Sequence, residues 1–238
     1  MKKVRFSRYK FQGYIKKRTE MIPQLFKNEL LSEADNIFQW LERNTFKRES
    51  ISQHSYKHSV FCLILLEELF SKNSEGLSVM AKHSLADFKS AVLAYSILHD
   101  WDELVTKRDF SHTMKYNTHN GEEVRDVIDN YVDYKIKEVI PQGFKSTDFI
   151  VNTMTDPSVL VKRFCKIADY LAMIHFCKVE IELGNKKFIK NFNYCCEKLF
   201  ESIKIFDETI KMQNLNLALF YSPDYFSELN QIPTMPHQ

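Results

Sequence analysis

Apolar positions recur three and four residues apart over long stretches of this chain, and that spacing predicts helices rather than strands. Leu25, Phe26, Leu30, Ile37, Trp40 and Leu41 predict one or two amphipathic helices over residues 22–43. A polar stretch over 44–50 follows, and Ser50 or Ser52 suits the N-cap of the next helix. That helix, over 53–70, carries His54, His58, Phe61, Cys62 and Leu65 on one side. After a polar segment, 71–77, the chain enters a near-continuous apolar run from Ala91 to Leu98, which reads as a helix buried on most of its circumference. His99-Asp100 emerge directly from that run. Periodic stripes predict three more helices. Residues 122–138 present Val124, Val127, Ile128, Tyr131 and Ile136, and 159–183 present Phe164, Ile167, Ala168, Leu171 and Ile174 before Gly184-Asn185. Residues 187–212 present Ile189, Phe192, Cys196, Leu199, Ile203, Phe206 and Ile210. Residues 141–147 interrupt the pattern, and 148–157 fit neither period. With no strand pattern and no repeat, the expected fold class is all-α.

Composition narrows the picture without changing it. A chain of 238 residues fits one large domain or two small ones, and 5 Gly and 6 Pro leave little material for tight turns. The expected organisation is a basic extension over 1–20, a helical domain over 21–213 and an irregular tail over 214–238. The extension carries Lys2, Lys3, Arg5, Arg8, Lys10, Lys16, Lys17 and Arg18 with interleaved aromatics. It reads as a solvated extension rather than a polyanion-binding arm. A formal charge of +2 is too small to mark a nucleic-acid binder, so nucleic acid is not an expected partner. Cys62, Cys165, Cys177, Cys195 and Cys196 contain no CxxC pair and read as small buried residues in a reducing cytoplasm. No hydrophobic leader and no run of 18 apolar residues occurs, so a soluble cytoplasmic protein with no membrane partner is expected.

The chemistry gathers where charge meets apolar surroundings. An imidazole and a carboxylate at the end of a buried helix need a partner. A divalent metal is one, and mutual satisfaction of His99 and Asp100 is another. Glu103 lies four residues after His99 and shares its face if the helix continues one more turn. Asp169 sits between Ala168 and Leu171 in an apolar stripe, and His54 lies on another helix. Two imidazoles and two carboxylates from three helices would leave open positions on a six-coordinate ion, and manganese, cobalt or iron suits such mixed ligation. Zinc is less suited, because four protein ligands fill its tetrahedral shell. His58, one turn from His54, reads as a packed core histidine.

The order H…HD…D on helices resembles the HD superfamily of metal-dependent phosphohydrolases. Finer motifs narrow the resemblance: Ser52-Gln53-His54-Ser55, His99-Asp100-Trp101-Asp102-Glu103, Thr106 and Asp109, Lys115-Tyr116, and Lys166-Ile167-Ala168-Asp169. These are similar to the S-E-H-S, H-D-x-x-E, T-G-D, K-Y and K-x-A-D of the bacterial YfbR-like 5′-deoxynucleotidases. The resemblance runs from about Gln39 to Ile203 and includes the segment after Asp169, Glu182 to Phe188.

That resemblance implies an HD-domain helical bundle with a metal site between helices. Its ligands would be His54, His99, Asp100 and Asp169, holding one divalent ion (manganese or cobalt, with iron, magnesium and zinc as further options). Glu103 would be the catalytic carboxylate. Trp40 and Asp109 would lie around the sugar, Lys115 on the phosphate side, and Gln39 at the position where the family has a substrate-contacting Arg. Lys107-Arg108 replace the family's glycine. The implied reaction removes the 5′-phosphate from deoxynucleoside monophosphates, with a nucleotide as partner and a homodimer as the expected assembly. Two rivals stand beside it. One is a triphosphohydrolase of deoxynucleoside triphosphates, which the extra charges of Lys107-Arg108 would suit. The other is a non-catalytic nucleotide- or nucleic-acid-binding protein on the same scaffold, which would have no need of Glu103.

Overall fold

The computed structural model describes residues 33–40, 43–72, 85–107, 121–140 and 145–212. These contain seven helices: α1 Ile51–Lys72, α2 Leu85–Leu98, α3 Trp101–Thr106, α4 Gly121–Val139, α5 Lys145–Thr155, α6 Val159–Glu182 and α7 Phe188–Met212. Among the described residues there is no strand, only an isolated antiparallel bridge between Phe38 and Ser50. The fold is all-α, as the periodicity predicts. The basic extension 1–20, the tail 214–238, and Asp109 and Lys115 lie outside the described residues.

The described residues fall into two compact units. The larger comprises the stretch from His54 to Leu98 and everything from Asp156 onward, and therefore most of α1, all of α2, and α6 and α7. Its core is aromatic. Phe164 of α6 meets Phe206 of α7 at 5.6 Å between ring centroids, and Phe176 meets Phe188 at 5.8 Å. Early α6 thus touches late α7 and late α6 touches early α7, so the two helices run antiparallel. Phe88 of α2 packs edge-on against Phe164 at 5.9 Å. All four of these α6 and α7 rings are fully buried, each contributing about 1.5–3 kcal/mol of transfer free energy.

Local chemistry sets the ends of α6. Ser158, after Pro157, is the N-cap, its hydroxyl accepting from the Val161 N–H at 3.2 Å. At the other end Gly184 takes φ 95°, which a side chain would strain, and the chain turns. Asn185 then locks the corner. Its Nδ2 donates to the buried Glu180 Oε2 at 2.7 Å and its N–H to the Glu180 carbonyl at 2.9 Å. The Glu182–Phe188 segment therefore has a structural explanation: it makes the corner between α6 and α7.

The other unit comprises the described residues up to Gln53 and those from His99 to Thr155. Here α3 packs on α4 and α4 on α5, with Trp101, Leu104, Val132 and Ile136 buried. Residues 37–40 and 43–50 pair with one another across an antiparallel bridge. The Gln39 N–H donates to the Glu49 carbonyl at 2.9 Å, and the Ile51 N–H to the Ile37 carbonyl at 2.9 Å. Ser50 and Gln53 make a reciprocal capping box. The Ser50 hydroxyl accepts from the Gln53 N–H at 3.3 Å, and the Gln53 side chain accepts from the Ser50 N–H at 3.2 Å.

Four expectations need correction. The helix predicted over 22–43 does not extend through Trp40. Phe38 pairs with Ser50 instead, and Trp40 takes a left-handed backbone, φ 64°. The helix ending in the apolar run stops at Leu98, and a separate six-residue helix begins at Trp101. On α4 the buried face is Val132 and Ile136, while Val127 and Tyr131 are exposed. On α7 Phe188 and Cys195 are buried where Ile189 and Cys196 were expected. In each stripe two adjacent apolar residues competed for one inward position, and packing chose the neighbour. Residues 148–157, which fit neither period, are largely α5.

Candidate active site

His54 enters through the capping box. With α1 starting at Ile51 and its first turn fixed by Ser50 and Gln53, His54 falls on the buried side, 2 % exposed. Asp169 lies midway along α6, flanked by the buried Ile167, Ala168 and Ala172. The two side chains meet: His54 Nε2 lies 3.1 Å from Asp169 Oδ1. The second carboxylate oxygen accepts from Lys166 Nζ at 2.6 Å, one helical turn back and half exposed. Lys166 also lies over the Tyr170 ring, 4.7 Å from its centroid. Burial pushes the Tyr170 hydroxyl above its ordinary pKa.

Beneath this pair the helices are stitched by His58. Its ring stacks on His54 at 6.2 Å. Its Nδ1 faces the Ser96 carbonyl of α2 at 3.1 Å and its Nε2 the Cys165 carbonyl of α6 at 2.8 Å. The expectation of a packed core histidine holds, and its packing is polar. Cys62 and Cys165 lie beside it, fully buried. A hydrogen bond from Cys165 lowers the Cys62 thiol to about 6, while burial pushes Cys165 up. All five cysteines are free, and four are buried, as expected of small core residues.

The second cluster belongs to the other unit. Between Leu98 and Trp101 the backbone turns, presenting His99 and Asp100 from the turn itself. His99 Nε2 lies 3.3 Å from Asp100 Oδ2. Asp100 is the N-cap residue of α3, a position where a carboxylate ordinarily accepts from the first helical N–H groups, yet its side chain makes no capping bond. It is engaged elsewhere: Gln39 Nε2 donates to the same Oδ2 at 2.8 Å. Glu103 sits in the first turn of α3, 5 % exposed, its N–H on the Asp100 carbonyl at 3.1 Å. A carboxylate there is favoured by the helix N-terminus.

Trp40 follows Gln39, half-buried, with its carbonyl accepting from the Arg43 N–H at 2.8 Å. Thr106 folds its hydroxyl back onto the Asp102 carbonyl at 2.5 Å. Lys107 ends α3 with φ 56°, the conformation that favours the glycine it replaces. Its ammonium pairs with Glu33 at 3.2 Å.

The structure thus joins His54 to Asp169, and Asp100 to His99 and Gln39. Sequence reasoning did not foresee the grip of Lys166 on Asp169, the bonds of His58 to two carbonyls, or the bond from Gln39 to Asp100. Only the Lys-x-x-Asp spacing, one helical turn, carried a signal for the first.

The donor chemistry fits a hard or borderline divalent cation. Metal–ligand bonds of about 2.1 Å at right angles set neighbouring donors roughly 3 Å apart. Each imidazole–carboxylate pair already stands at that spacing, 3.1 and 3.3 Å. For His54 and Asp169 the same spacing is also that of a hydrogen bond.

A family model described as 5′-deoxynucleotidase YfbR-like matches residues 26–211. Among solved structures, the chain is similar to an HD-domain phosphohydrolase from Listeria innocua. The match has a TM-score of 0.61 and 18 % identity, over 87 % of this chain and 90 % of that one. A search of curated proteins finds no match.

Proposed function

Since this chain belongs to the YfbR-like 5′-deoxynucleotidase family and is a metal-dependent nucleotide phosphohydrolase, we propose that it removes the 5′-phosphate from deoxynucleoside monophosphates. His54, His99, Asp100 and Asp169 are the proposed ligands of one divalent ion, with manganese or cobalt the best match to two imidazoles and two carboxylates. The observation that carries this assignment is the pairing of imidazole with carboxylate, His54 with Asp169 and His99 with Asp100, at the spacing of neighbouring ligands. When bound, such an ion lowers the pKa of a coordinated water and neutralises phosphoryl oxygens.

The remaining work falls to the chain's own residues. Glu103, a buried carboxylate one short turn beyond Asp100, orients the attacking water and takes its proton. Lys166 holds Asp169 in one rotamer through its 2.6 Å bond. In this reading Trp40 walls the sugar, Asp109 accepts from its 3′-hydroxyl, and Lys115 meets the phosphate. An indole packed against C2′ would leave no room for a 2′-hydroxyl.

The test is a phosphate-release screen over matched mono- and triphosphates, ribo and deoxy, with manganese, cobalt, magnesium and zinc. Deoxynucleoside monophosphates with manganese or cobalt should give the highest kcat/KM. Equal kcat/KM for ribo and deoxy monophosphates would sink the sugar-wall role of Trp40, and preference for triphosphates would sink the monophosphate reading.

A further inference from the structure

Gln39 occupies the position at which the family resemblance implies a substrate-contacting Arg, but its side chain is spent on the protein. The backbone around it is pinned on both sides. Phe38 bridges to Ser50, the Gln39 N–H donates to the Glu49 carbonyl at 2.9 Å, and the Trp40 carbonyl accepts from Arg43 at 2.8 Å. From that segment, across 61 residues of sequence, Nε2 reaches Asp100 Oδ2 at 2.8 Å. A carboxylate can only accept, so the amide must present its NH₂ side, and a hydrogen bond to an ionised group is among the stronger kinds. The partner end needs such a bond. Asp100 stands on a turn rather than inside a helix, and its carboxylate makes no capping bond to α3.

We propose that Gln39 is a positioning residue. Its amide clamps Oδ2 of Asp100 through one lone pair and fixes the rotamer, leaving that oxygen's second lone pair, on the side of His99, to serve the ion. A neutral donor suits this task better than a cation. A guanidinium at the same place would hold the carboxylate as firmly while cancelling the negative charge that attracts the metal. The residue that resembles a lost substrate contact is therefore a support for a ligand. The inference rests on the assignment of Asp100 as a ligand.

The experiment uses cobalt(II) as probe on the full chain, reading the dissociation constant by titration and the ligand field by visible absorption. Gln39→Met keeps the side-chain length and removes the donor. It should weaken cobalt binding about 10–100-fold, the usual effect of removing an outer-sphere hydrogen bond, and shift the absorption bands. Gln39→Arg restores a donor and adds a charge, so it should return the wild-type band positions while still binding more weakly than wild type. A Gln39→Met protein with lower thermal stability but unchanged affinity and bands would overturn the proposal, leaving Gln39 a brace of the bridged segment. If Gln39→Met does not fold, Gln39→Arg against wild type decides: equal affinity overturns the proposal. Wild-type protein that takes up no cobalt would instead overturn the metal assignment itself.

Discussion

The two imidazole–carboxylate pairs are built in opposite ways. His54 and Asp169 stand on long helices whose own backbone bonds fix where each Cβ points, and Lys166, half exposed, touches the carboxylate from one helical turn away. His99 and Asp100 stand on a turn between α2 and α3. There the Asp100 carbonyl accepts from the Glu103 and Leu104 N–H groups, while its carboxylate is held from far along the chain, with Gln39 reaching in from 61 residues away. One pair is positioned by secondary structure and the other by tertiary hydrogen bonds. The difference is one of rigidity: a helix keeps its form when a side chain is removed, whereas a turn loses part of what defines it.

The largest expected effect breaks both pairs and separates them. Asp100→Ala and Asp169→Ala should each abolish stoichiometric metal, read by elemental analysis, and phosphate release, read by a turnover assay. Their amide hydrogen exchange should differ. In Asp100→Ala the segment that carries Gln39 loses its bond to the turn, worth about 1.5–3 kcal/mol, so the Gln39 and Ile51 N–H groups should exchange about tenfold faster or more. In Asp169→Ala protection along α6 should hold, because its i→i+4 bonds remain and Ala is the stronger helix former. Equal loss of protection in the two would erase the contrast.

A smaller effect isolates chemistry on the turn side. Glu103→Gln should keep its metal and KM while kcat falls roughly 10²–10⁴-fold. Retained turnover would make Glu103 a dipole-favoured carboxylate at the start of α3 and nothing more.

Smallest is Lys166→Met. Its ion pair with Asp169 is solvent-screened on the lysine side and worth at most about 1 kcal/mol, so cobalt affinity should fall no more than about fivefold. That is less than for Gln39→Met, because the helix already positions Asp169. A larger loss at Lys166 than at Gln39 would reverse the ranking of the two supports.

The same contrast explains what was legible in the sequence. His54 could be placed because Ser50 opens its helix three residues before Gln53, a local signal, and Asp169 because it interrupts an apolar stripe. The break between Leu98 and Trp101 left no such mark. No Gly or Pro stands there, and Ile97-Leu98-His99-Asp100-Trp101 reads as one helical run. The bond that turns Asp100 away from capping α3 comes from Gln39, a long-range contact that periodicity does not contain. The pairing of Phe38 with Ser50, which ended the helix expected to reach Trp40, is likewise tertiary. Offsets by one residue, Phe188 for Ile189 on α7, arose where adjacent apolar residues fit the same stripe.

Trp40 and Lys107 are the two non-glycine residues with left-handed backbone in the described chain, at φ 64° and 56°. An L-residue held there costs about 1–2 kcal/mol that glycine would not. Anyone engineering a hardier version of this protein would meet these two positions first, and they are not equivalent. At 107, glycine relieves strain and gives up only a surface ion pair with Glu33, so heat resistance can rise with turnover unchanged. At 40, glycine relieves strain by deleting the indole next to the residue that grips Asp100. A variant chosen for durability alone would drift toward that deletion, trading the proposed sugar wall for a higher melting temperature.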